Sequence, residues 1–184
     1  MPYPGRDEAL NLLHQWTQSE SLRRHAYCVE SAMRNYARRG GASEEEWGVT
    51  GLLHDFDYEK HPTLPEHPTQ GVAVLRGLGY PEEMLEAILG HAGLAPRVTP
   101  MAKTLFAVDE LCGFLTACAY VQPSKKIADV KVSSVKKKLK DKAFARAVNR
   151  EDILHGTAEL GVDLEAHIQA VLEALSADAE QLGL

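Results

Sequence analysis

Apolar residues recur every three or four positions through most of this chain, and glycine and proline interrupt the runs. That period belongs to a helix with one buried face, whereas a half-buried strand would alternate at every second residue. Leu22, Ala26, Val29, Met33 and Tyr36 form one such stripe, which Gly40-Gly41 stops. Ser43 followed by Glu46 has the form of a capping box and opens a helix running to about Phe56. Pro62, Pro65 and Pro68 make the stretch after it irregular. Further helices are expected over about 6–19, 69–77, 82–91 and 100–120, then a short one from about 150 and a last one near 163–181. No strand pair, repeat or low-complexity linker is visible. The expected fold is all-α, a compact single-domain helical bundle over 1–184.

A chain of 184 residues can bury an adequate core without covalent staples. Cys28, Cys112 and Cys118 are odd in number and show no CxxC spacing, so they read as small core residues in a reducing compartment. No apolar run approaches the roughly 18 residues of a membrane span, and MPYPGRDEAL lacks the order of a secretion signal. A cytoplasmic protein that avoids membranes is the expectation. The net charge is −6, yet it is unevenly spread. Nine Lys/Arg against Asp129 and Asp141 give the 125–146 segment +7, which leaves −13 for the remainder. Acidity overall, and a lysine run without interleaved aromatics, argue against nucleic acid as partner. The run reads as one solvated helix face, with Val132, Val135, Leu139 and Phe144 on its packed side.

Four residues carry the chemistry. His25 sits on the apolar stripe of its helix; His54-Asp55 follows Leu52-Leu53 and precedes Phe56; Asp109 lies in LFAVDELCGFL. An ionised carboxylate in such surroundings costs several kcal/mol unless it is paired or bound to a metal. Two inward imidazoles and two inward carboxylates can satisfy one another through a divalent cation. Mixed nitrogen and oxygen ligands suit Mn, Fe, Co, Ni or Zn, and Mg less well.

This H…HD…D order, in LRRHAYCVE, GLLHDFDYE and AVDELCGF, resembles the HD superfamily of metal-dependent phosphohydrolases. The resemblance covers roughly residues 20–120, the metal-binding core, and leaves 121–184 as a C-terminal helical extension. It implies a helical bundle in which His25, His54, Asp55 and Asp109 coordinate a divalent metal. It also implies hydrolysis of phosphomonoesters or phosphodiesters, commonly of nucleotides. His67 in EHPTQG and His91 in MLEAILGHA resemble the histidines that complete a second metal position in two-metal branches. Members with HDIG or HDxGK set a Lys near the metal, whereas HDFDYEK puts Lys60 five residues beyond Asp55.

The expected substrate is therefore a small phosphorylated metabolite or nucleotide. A bound ion lowers the pKa of its water towards about 7, giving a metal-bound hydroxide in which Asp55 and His54 act as the catalytic ligands. Arg24, Lys60, Lys103, Lys125 and Lys126 are the candidate phosphate contacts. Two alternatives use the same residues. One is an HD-type di-iron oxygenase, which the H, HD, H, H, D set also resembles; the other is a non-catalytic nucleotide-sensing domain.

Overall fold

The computed structural model describes residues 4–184. Ten helices follow one another, and there is no strand among the described residues. They are α1 (Arg6–Trp16), α2 (Glu20–Gly40), α3 (Glu44–Leu53), α4 (Glu66–Gly77), α5 (Glu82–His91) and α6 (Pro100–Tyr120). A 3-10 turn at Ile127–Asp129 leads to α7 (Val132–Lys140), α8 (Arg150–Leu160), α9 (Leu164–Ala177) and the short α10 (Ala179–Leu182). The all-α expectation holds.

Local chemistry sets the boundaries. The Ser19 hydroxyl accepts from the Leu22 amide and starts α2, so α1 stops at Trp16 and not near residue 19. Gly41 ends α2 in the left-handed conformation, with φ 69°. Ser43 caps α3 through the Glu46 amide, as the capping-box pattern predicts. The helix ends at Leu53, and residues 54–60 continue as turns that carry the HD doublet. Thr99 caps α6, with Pro100 in its first turn. Within α4, His67 has an extended ψ of 132°, so the chain kinks at His67 and Pro68 before the regular helix begins.

The two 21-residue helices, α2 and α6, form the centre. α2 packs against α3, α6 and α9; α6 packs against α5 and α8 as well. Val29 and Met33 of α2, Leu52 and Leu53 of α3, and Leu105, Leu111 and Leu115 of α6 are buried almost completely. Full burial of side chains of this size contributes roughly 1.5–3 kcal/mol each. The α2–α3 contact is tight. A Cβ placed on Gly51 would lie 2.9 Å from the Val29 carbonyl oxygen and 3.0 Å from the Glu30 amide nitrogen. This approach sets the end of α3, and with it His54, beside the helix that carries His25.

Met33 Cγ, also 3.0 Å away, could shift, but the two backbone atoms facing Gly51 cannot move aside as a side chain would. Gly51→Ala is expected to destabilise the fold by about 1–3 kcal/mol, despite alanine's better helix propensity. A lower denaturation midpoint at an unchanged m-value would show it; an unchanged or higher midpoint would contradict the close approach.

Candidate metal centre

The centre is built from the ends and faces of four helices and one turn. α2 supplies His25, the turn after α3 supplies His54 and Asp55, the kink in α4 supplies His67, the last residue of α5 is His91, and the middle of α6 supplies Asp109. Asp55 lies between all the others. Its Oδ2 is 3.9 Å from His25 Nε2 and 3.3 Å from His54 Nε2. Its Oδ1 is 3.1 Å from His67 Nε2 and 3.2 Å from His91 Nε2. Asp109 closes the first side, with Oδ1 2.9 Å from His25 Nε2 and 3.4 Å from His54 Nε2.

These atoms form two groups that could hold metal ions and share Asp55. One is His25, His54, Asp55 and Asp109; the other is Asp55, His67 and His91, with ligand atoms in each group within 4.8 Å of one another. The structure thus brings together all six sequence candidates for the metal positions.

A second layer aims the imidazoles. His54 Nδ1 donates to the Gly51 carbonyl at 2.7 Å, and His91 Nδ1 donates to the Ile88 carbonyl. His67 Nδ1 donates to Asp57 Oδ1 at 2.7 Å, while Asp57 Oδ2 accepts the Gly71 amide at 2.7 Å. With Nδ1 engaged, each ring turns Nε2 toward Asp55. Asp57 is fully buried and was not among the sequence candidates. Its only signal was a second carboxylate two residues after Asp55, on the far side of the apolar Phe56. Gly71 packs so closely on it that a Cβ there would lie 2.7 Å from Asp57 Cγ.

The electrostatics fit a cation. His54 is fully buried, and its Nε2 has no hydrogen-bond partner although two carboxylates flank it. An unsatisfied buried nitrogen costs about 1–3 kcal/mol, and a coordinated ion between it and the carboxylates would remove that cost. Burial alone would keep the His54 ring neutral, but Asp55 and Asp109 outweigh it and hold its pKa well above the ordinary value. Burial likewise disfavours the charged ring of His67, yet its bonds to Asp55 and Asp57 push its pKa up to about 9. Against the opposing effect of burial, the histidines hold Asp55 and Asp109 well below the usual carboxylate range. No Lys or Arg forms an ion pair with Asp55, Asp57 or Asp109 among the described residues. His54 and His67, with their raised pKa values, are the groups that offset these carboxylates.

The centre opens into a cleft of about 690 Å³. Along α6 its wall is Phe106, Asp109, Glu110 and Gly113, one helical face. Tyr58, whose ring meets that of His67 edge-on at 5.2 Å, lines it too, as do Arg97, Asp152 and His155. Burial, with Asp109 beside it, pushes the Glu110 carboxyl up to about 7. None of the five candidate phosphate contacts lines this cleft. Arg24 is one position round the helix from His25 and bonds the Tyr120 hydroxyl. Lys60 lies over the Trp16 ring, 3.7 Å from its centroid, because the turn after Asp57 heads back toward α1. Lys103 is in the first turn of α6 and Lys125 and Lys126 follow its far end, about 16 Å beyond Asp109 at helical rise. Arg97, unremarkable in the sequence, is the one Lys or Arg of the cleft wall.

A family model described as HD domain matches residues 22–113, half of the chain. No curated protein and no solved structure matches it.

Two outcomes are expected. Under saturating Mn or Fe the wild type should hold close to two ions per chain. His91→Ala should lower that towards one, and His54→Ala should strip the four-residue group. Elemental analysis after gel filtration decides; a wild type that never exceeds one ion leaves His67 and His91 as supports of a mononuclear centre. Metal binding should also release protons. Ligand nitrogens must be neutral, and the metal-free His67 keeps its proton up to about pH 9. Affinity should therefore rise as pH climbs from 6 towards 9. Calorimetry in buffers of different ionisation enthalpy should find about one or more protons released per ion at pH 7; none released would contradict the charge balance described.

Proposed function

The chain belongs to the HD-domain family, whose members are generally metal-dependent hydrolases, and from that premise we propose that it hydrolyses phosphate esters of a small metabolite, nucleotides included. The observation that carries the reading is the buried His54 Nε2, which makes no hydrogen bond yet lies 3.3 and 3.4 Å from the carboxylates of Asp55 and Asp109. In this proposal His25, His54, Asp55 and Asp109 hold one divalent ion, and His67 and His91 hold a second that shares Asp55. Mixed nitrogen and oxygen donors favour Mn, Fe, Co, Ni or Zn over Mg. When bound, such an ion acidifies water to a nucleophile at neutral pH and neutralises charge on a phosphoryl oxygen.

The protein's own part is orientation and exclusion. The Gly51 and Ile88 carbonyls and the Asp57 carboxylate fix the imidazoles, so that little reorganisation is needed when a substrate arrives. The side chains of Asp55 and Asp109 are about one-fifth exposed, and both line the cleft from which an ester can approach. His54 forms the sealed floor beneath them. The cleft has the size of a small-metabolite site.

The test is phosphate release from a broad set of phosphomonoesters and phosphodiesters, run anaerobically across Mn, Fe, Co, Ni, Zn and Mg. Activity should vanish with a chelator, return with metal, and fall at least about 100-fold in Asp55→Ala, a loss typical for a metal-centre ligand. Silence with every metal, together with oxygen uptake by the iron form, would replace hydrolysis with oxygenation.

A further inference from the structure

The metal centre accounts for one phosphoryl group; the rest of the cleft shows what the remainder of a substrate can be. Four carboxylates line the cleft, those of Asp55, Asp109, Glu110 and Asp152, against the single guanidinium of Arg97. That guanidinium is already committed. Its Nε and Nη2 donate to the two Glu159 oxygens at 2.8 and 2.6 Å, and Nη1 donates to the Gly90 carbonyl at 2.9 Å. Its face rests on the Phe106 ring, 3.7 Å from the centroid. His155, the remaining basic side chain outside the metal groups, has Nε2 3.2 Å from the same Glu159 carboxylate. The guanidinium is therefore balanced by Glu159, while Glu110 and Asp152 each give one oxygen to Asn149, to its amide at 3.0 Å and its side-chain Nδ2 at 2.7 Å, and keep the other as an acceptor.

We infer that the site is specific for esters carrying a single phosphate, whose remaining part is uncharged or cationic and donates hydrogen bonds, as in a sugar, polyol or amino-alcohol monophosphate. This rests on the hydrolase reading of the metal centre and narrows its substrate class. A second phosphate or a carboxylate on the substrate would find no free cation in the wall. It would instead approach Asp152 in a partly desolvated cleft, where like charges repel more strongly than in bulk water. Hydroxyl and ammonium groups suit the same wall, because carboxylates accept their hydrogen bonds strongly. The basic stripe of α7 does not relieve the repulsion. Lys131, Lys136, Lys137 and Lys140 line a separate groove with Glu165, and none of them lines the cleft.

The experiment uses the metal-loaded full chain and matched pairs of esters: fructose 6-phosphate against fructose 1,6-bisphosphate, a nucleoside monophosphate against its triphosphate, and phosphoethanolamine against phosphoglycolate. Within each pair kcat/KM should favour the first member at least about tenfold, equivalent to about 1.4 kcal/mol. Asp152→Asn should narrow the ratio at least about threefold, and Asp152→Glu should restore it, with metal content the same in both. Equal or inverted ratios in the wild type, or an unchanged ratio in Asp152→Asn, would overturn the inference while leaving hydrolysis intact. Calorimetric binding of the same pairs gives a readout that does not need turnover, and the same order is expected. If no ester is hydrolysed, the hydrolase reading fails by itself; if none binds either, the substrate class fails with it.

Discussion

The carboxylate of Asp55 is the point on which the centre turns. One oxygen faces His25 and His54, the other His67 and His91, so a single, partly buried anion ties α2, the turn after α3, the kink of α4 and the end of α5 to one place. Buried carboxylates elsewhere in the chain are handled differently. Glu30, also buried, receives the guanidinium groups of Arg6 and Arg34 at 2.6 and 3.0 Å, and its charge is closed off. Asp55 and Asp109 are offered only imidazoles, which can exchange a proton for an ion. Arginine never loses its proton in a protein, so an Arg-paired site could not make that exchange.

The geometry that aims those imidazoles comes from helix ends. His54 follows α3 and His91 ends α5, and each ring bonds the carbonyl three residues earlier. Carbonyls in the last turn of a helix lack intrahelical partners, so they are free to fix a side chain there. The same two termini direct the negative ends of their helix dipoles toward the centre, which favours a cation near them. α3 can reach this position because Gly51 lets it lie against the α2 backbone. Packing, capping and the ligand set are therefore one arrangement, with the HD doublet placed where a helix must stop.

Much of this was legible in the sequence, for reasons that can be named. The limits of α5 and α6 follow from Gly79-Tyr80-Pro81 and from Thr99-Pro100, whose backbone preferences leave little freedom. The end of α1 was misplaced by three residues because a serine within an amphipathic run reads equally as helix interior or as the next cap. His25, His54, Asp55 and Asp109 stood out together, through their H…HD…D order on apolar stripes and runs where a polar group needs a reason. Asp57 did not stand out: between Phe56 and a proline-rich loop it looks like surface acid, and only the return of α4 at Gly71 buries it. The basic candidates were not brought to the cleft because sequence gives a lysine's position along a helix but not the side its long stem takes. Lys60 shows this most plainly, since it folds over Trp16 on the α1 side.

The distribution of charge gives the last step. Arginines outside the basic segment are largely neutralised by neighbouring acids, as in Arg38 with Glu44, Arg39 with Glu173, Arg76 with Glu82 and Arg97 with Glu159. The cleft is left with more carboxylates than cations. On the proposed reading this makes the ion the sole source of attraction for a phosphate: without it, the open face of the centre presents Asp55 and Asp109 to an incoming anion. Ion first and substrate second is then the order that the electrostatics impose, and specificity for what lies beyond the phosphate falls to a wall that can accept hydrogen bonds and cannot bind a further anion.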